Sequence, residues 1–226
     1  MSDITVKTPT RRRPTAARDS SSDPGMLKLQ IIPSTQEFND FLRGDKEYIL
    51  RRLTKVSMAI TSLFKTVNPI ADKDLLDKLE EWLDMLLTER EELAKSSARH
   101  IDMLKEQFDD QISKNLIYTP QTFEPVQIHF NNGNTGRFIR HLNTLNNLLL
   151  EMHKLYLVGE VRAADIKQYH KNILADARVC IDIIAKTLSV SKRDRENGRY
   201  MPEVFIDKIR LYKSVQEYYN TEINRP

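Results

Sequence analysis

Few residues of this 226-residue chain could do covalent or metal chemistry, and their placement argues against it. The single cysteine, Cys180, falls within a helical apolar stripe, where a thiol is a small buried hydrophobe rather than a nucleophile. His129, His141 and His153 recur at intervals of twelve, a spacing that suggests no metal-binding pair. No H-E-x-x-H, paired C-x-x-C or P-loop occurs. "NNGNTGR" has two glycines three apart but lacks the lysine and the preceding buried strand of a phosphate cradle. It reads as a loop leading into a helix, with Thr135 as a candidate cap. The carboxylates of residues 72–110 are scattered over a helical surface and look like a solvated face. No residue set argues for catalysis, a metal or a cofactor, so a non-enzymatic role is expected.

Recognition chemistry is easier to find. In "MLKLQII", residues 26–32, strand alternation sends Leu27, Leu29 and Ile31 one way and Lys28, Gln30 and Ile32 the other. Pro33 ends the strand, because it has no amide for a ladder. Ser34-Thr35-Gln36-Glu37 fits a capping box, followed by a short helix with Phe38, Phe41 and Leu42 on its apolar face. Gly44 sits where that helix should stop, and Asp45 is a good N-cap for the next. The second helix carries Ile49, Leu50, Leu53, Val56, Ile60, Leu63 and Phe64, and Asn68-Pro69 closes it.

The elements that must position this stretch are helical. A long helix is expected over about 72–114, either unbroken or interrupted near "AKSSARH", where the apolar stripe thins. Residues 115–136 are irregular, with "VQIHF" as a short strand. Helices over 137–158 and 163–188 form an antiparallel hairpin around Gly159, and an aromatic-rich tail follows a charged loop. The expected fold is therefore mainly α, in three regions: a disordered basic arm (1–25), a strand-helix-helix region (26–68) and a helical oligomerisation or regulatory region (69–226). No apolar run approaches the ~20 residues a membrane span needs. The leader has no apolar segment, and with one cysteine the chain reads as cytoplasmic.

Charge is segregated. Residues 1–68 hold 12 Lys/Arg against 7 Asp/Glu, residues 69–113 hold 6 against 13, and residues 114–226 hold 17 against 12. Basic ends suit phosphate backbones, and Arg11, Arg12 and Arg13 of the arm could grip them without sequence preference.

The strand's nearest candidate partner lies about a hundred residues away, which favours pairing with the same strand of a second copy. Strand, capped short helix, glycine and capped longer helix is the order of ribbon-helix-helix DNA-binding proteins, and this region resembles them. The resemblance implies a homodimer whose two-stranded ribbon reads the major groove of promoter DNA through Lys28, Gln30 and Ile32. It also implies a phosphate held at the second helix start by the amides of Asp45, Lys46 and Glu47, with Arg43 and Lys46 as supporting charge. Leu29 and Ile31 occupy positions where such proteins often carry polar readers. With the later helices and "FEPVQIHFNNGNTGRFIRHLNTLNNLLLEMHKLYLVGEVRAADI", the chain from about 26 to 212 looks like the AcaB-type regulators of conjugative plasmids and integrating conjugative elements. That likeness implies an activator of transfer genes that binds promoter DNA as a dimer; a higher oligomer and a contact with the transcription machinery are left open. The competing reading is a helical scaffold or adaptor that binds protein, with residues 26–32 as an edge strand.

Overall fold

The computed structural model describes residues 27–68, 70–107, 117–119, 121–130, 133–188 and 202–223. Strand β1 (Leu27–Ile31) leads into helix α1 (Gln36–Thr66), and α2 (Lys73–Glu106) follows a short turn. Strand β2 (Val126–Phe130) precedes the helices α3 (Gly133–Leu157) and α4 (Ala163–Thr187). Two shorter helices, α5 (Pro202–Arg210) and α6 (Val215–Tyr218), lead into a π-helical turn over Tyr219–Ile223. The mainly α expectation holds.

β1 pairs with β2 of the same chain, antiparallel, with Leu29 opposite Ile128 and Ile31 opposite Val126. The expected ribbon between two subunits is thereby replaced by a ribbon made within one. The cause is the second alternating segment: Val126 and Ile128 are buried and Gln127 and His129 exposed, which matches the pleat of β1.

α1 is one helix, not two. Phe38, Leu42, Ile49, Leu53, Val56, Ile60 and Leu63 are all buried, and they succeed one another at three, four or seven residues across Gly44. A helix-interior glycine costs about 1 kcal/mol. Breaking the stripe would expose several side chains worth about 1.5–3 kcal/mol each, so the stripe wins over the local stop signal. A trace of the signal survives: Glu47 has φ of 61°, in the left-handed region, inside the helix. The start of α1 also differs from the expected box. Thr35 is the cap and accepts from the Phe38 amide at 3.3 Å.

Ser34 is occupied elsewhere. Its amide donates to Asn146 Oδ1 at 2.9 Å, and Asn146 Nδ2 donates to the Ile32 carbonyl at 2.9 Å. The buried carboxamide of α3 thus satisfies the backbone on both sides of Pro33, as a neighbouring strand would. Asn146→Ala leaves both groups short of a partner and is expected to cost about 2 kcal/mol, read as a lowered urea midpoint. Faster hydrogen exchange at the Ser34 amide should accompany it.

α2 runs unbroken through "AKSSARH". The stripe thins there to Ala94, which is buried, and Ala98, which is partly buried, while α2 packs along α3 as a whole. The long helix finds its partner inside the chain. α3 ends at Gly159 (φ 89°), where the Glu160 amide donates to Leu155 and the Gly159 amide to Tyr156, both at 3.0 Å, and α4 folds back as expected. The aromatic tail docks on α2: Phe205 lies 4.8 Å from Trp82, and the Tyr219 hydroxyl donates to Glu89 at 2.8 Å. One apolar cluster includes buried residues from Ile31 to Tyr219, drawn from both the strand-helix region and the later helices.

Candidate nucleic-acid interface

A two-stranded ribbon has two faces, and here they differ in chemistry. Leu29, Ile31, Val126 and Ile128 turn toward the helices. Lys28, Gln30, Gln127 and His129 are exposed on the other face, in two facing pairs: Lys28 with His129, and Gln30 with Gln127. Four polar side chains without a carboxylate occupy this face. Ile32, just past the end of β1, is 54 % exposed, and Leu27 at the other end is 63 % exposed.

Three attachments hold the ribbon. Asn146 fixes the β1–α1 corner. Arg43 donates to the Glu124 carbonyl at 3.1 Å and lies 3.7 Å from the Glu124 carboxylate, pinning the approach to β2. At the far end Phe130 packs over Gly136 so closely that a Cβ there would lie 2.9 Å from the ring. Strand and helix meet through a glycine because no larger residue fits without moving Phe130.

The expected site residues thus separate. Lys28, Gln30 and Ile32 share the outer side of the ribbon. Arg43 is committed to Glu124 and serves the ribbon's footing. The amides of Asp45, Lys46 and Glu47 lie within the continuous α1 instead of at an open helix start, so the geometry expected for phosphate there is not formed. Arg11, Arg12 and Arg13 lie outside the described residues. Gln127 and His129 are the residues sequence reasoning passed over. Their signal was present in the alternation of "VQIHF", but a ribbon closed by a second copy had no use for it. Arg140, one turn beyond Gly136, is exposed and makes no side-chain hydrogen bond or ion pair among the described residues.

Cys180, His141 and His170 lie in the interior. Cys180 is fully buried, and burial pushes its thiol up to about 12. No group of three metal-ligating residues occurs among the described residues, and no described helix is long and apolar enough to cross a membrane. His141 and His170 are buried, and burial lowers both pKa values against the pull of Asp176 and Glu37 respectively. Their folded-state values lie below 6.5, so the unfolded chain takes up protons first as pH falls. Their contribution is complete above that value and erodes below it, at no more than about 1.4 kcal/mol per pH unit for each histidine. Urea unfolding at pH 7.5 and 5.5 should show the loss, and a conservative His170→Gln change should make it shallower.

No protein-family model matches the chain, and no curated protein matches it. Among solved structures it is similar to selenomethionine-containing AcaB from uropathogenic E. coli. The TM-score is 0.57 at 12 % identity, over 83 % of this chain and 89 % of that one, so the two share a fold.

Proposed function

We propose that the protein is a sequence-specific DNA-binding regulator of transcription that presents the outer face of its β1–β2 ribbon to the major groove. The observation that carries this reading is the two facing polar pairs on a ribbon whose other face is anchored in the core. Two strands lie about 4.8 Å apart, and the major groove is about 12 Å wide, so the ribbon enters whole. Gln30 and Gln127 can each take adenine at N6 and N7, Lys28 can take guanine at O6 and N7, and His129 offers one donor and one acceptor. The fold shared with AcaB supports the same reading, as does the sequence resemblance to AcaB-type regulators. From that resemblance come the narrower parts of the proposal: a homodimer that activates conjugative-transfer genes. Since one chain makes its own ribbon, the dimer brings two complete ribbons to two half-sites.

The scaffold reading also expects residues 26–32 as an edge strand within one subunit, as β1 is here, but its long helix α2 packs on α3 of its own chain. Selection of bound fragments from random duplex DNA decides between them. Enrichment of a short motif, repeated in inverted orientation, is the expected result. Fragments no different from the input pool would overturn the proposal.

A further inference from the structure

The outer face of the ribbon is poor in hydrogen-bond acceptors. Lys28 only donates, and neither strand carries a carboxylate. The side-chain acceptors are the carboxamide oxygens of Gln30 and Gln127 and, in the neutral imidazole, one nitrogen of His129. In the major groove the bases offer donors at two places, adenine N6 and cytosine N4. Cytosine N4 suits a carboxylate, which this face lacks. A glutamine suits adenine: its oxygen accepts from N6 while its amide donates to N7. The facing pair Gln30–Gln127 thus directs the face toward adenine amino groups.

The two glutamines need not compete for one base. Opposed residues of an antiparallel pair have Cβ atoms about 4.5–5.5 Å apart, and stacked bases on one strand rise by about 3.4 Å. Side chains that start this far apart reach neighbouring base pairs, one adenine each. Nor can the strands draw back from the groove. Asn146 holds the β1–α1 corner, Arg43 holds the Glu124 carbonyl, and Phe130 rests against Gly136. A group added to the adenine amine therefore meets a fixed backbone.

We infer that the ribbon discriminates by adenine methylation, binding duplex DNA with free N6 amino groups and rejecting N6-methyladenine. This discrimination rests on the major-groove reading proposed above and adds a means of regulation to it. One N6 hydrogen is used in the pair with thymine, and the other lies in the groove beside N7. A methyl group that leaves the base pair intact must replace the second. It removes the hydrogen that the glutamine oxygen accepts and blocks the approach to N7, so both bonds of the contact are lost. A methyl group at cytosine C5 touches neither position.

The full chain is tested on the operator recovered from random, unmethylated duplex. That operator is synthesised unmodified, with N6-methyladenine at each adenine of the motif in turn, and with 5-methylcytosine. Fluorescence anisotropy at one salt concentration reads the affinity. Two adenines of each half-site are expected to respond, each methyl weakening binding about tenfold, the loss of one good base contact. The 5-methylcytosine operator should bind like the unmodified one. Gln127→Ala should abolish the response at one of those adenines and keep it at the other, and Gln30→Ala should do the reverse. Both side chains are exposed, so each variant should keep the wild-type circular dichroism. A motif without adenine, equal affinity for the methylated operator, or a penalty undiminished in both variants would overturn the inference and leave the DNA-binding reading standing. Absence of any enriched motif would overturn both.

Discussion

Changing Gln127 and His129 together to alanine is expected to weaken binding to the selected operator by about a hundredfold, since each good base contact is worth about 1–3 kcal/mol. Both side chains are exposed and carry no part of the apolar face, so the variant should retain its circular dichroism and unfolding midpoint. Lys28→Ala with Gln30→Ala should cost about as much in specific binding, because the pairs Lys28–His129 and Gln30–Gln127 lie on one face of one ribbon. The two double variants should differ in their salt response. Removing Lys28 takes away a cation, so binding to unrelated DNA falls as well and the salt slope shrinks by about one charge. Removing Gln127 and His129 should leave unrelated DNA nearly untouched. Competition gel shifts against scrambled duplex measure both. If only the Lys28/Gln30 variant lost specificity, β2 would lie outside the groove, and a ribbon exchanged between copies would be the better account.

That contrast turns on the one pairing local sequence could not settle. The alternation of residues 27–32 fixes which side chains face out. Which strand lies alongside depends on a contact across about a hundred residues, and no local rule carries that information. Gly44 and Asp45 are good local stop and start signals, yet α1 ignores them because the stripe from Phe38 to Leu63 stays in phase. Ser34 and Thr35 can both cap a helix; the Asn146 side chain, 112 residues away from Ser34, claims the Ser34 amide and Thr35 serves. By contrast, Gly159 marks the α3–α4 turn through its own backbone freedom, and Cys180 is buried by its place in a stripe. Those features were legible because their causes are local. The outer face of β1 was legible for the same reason, and the half supplied by β2 was not.

The largest effect on stability is expected from Asp176→Ala. Arg90 and Asp176 join α2 to α4 at 2.6 Å, with side chains only 14 % and 15 % exposed. Removing the acid leaves a guanidinium inside the bundle, with Glu89 at 3.5 Å as its remaining acidic neighbour, half exposed. Breaking a buried pair this way typically costs about 3–5 kcal/mol, a fall in melting temperature of roughly 10 °C for a chain of this size. The matched control is Asp182→Ala. Its partner Arg52 lies at 2.8 Å, a comparable distance, but Asp182 is 46 % exposed, so water can take over and a loss of about 1 kcal/mol or less is expected. The double variant Arg90→Met with Asp176→Leu separates charge from packing. It removes both ions and keeps the bulk, so most of the lost stability should return. A double variant as unstable as Asp176→Ala would mean that the shape of this contact, rather than its charge, holds α2 against α4. Recovery would show instead that the polar layer around His141 contributes little net stability.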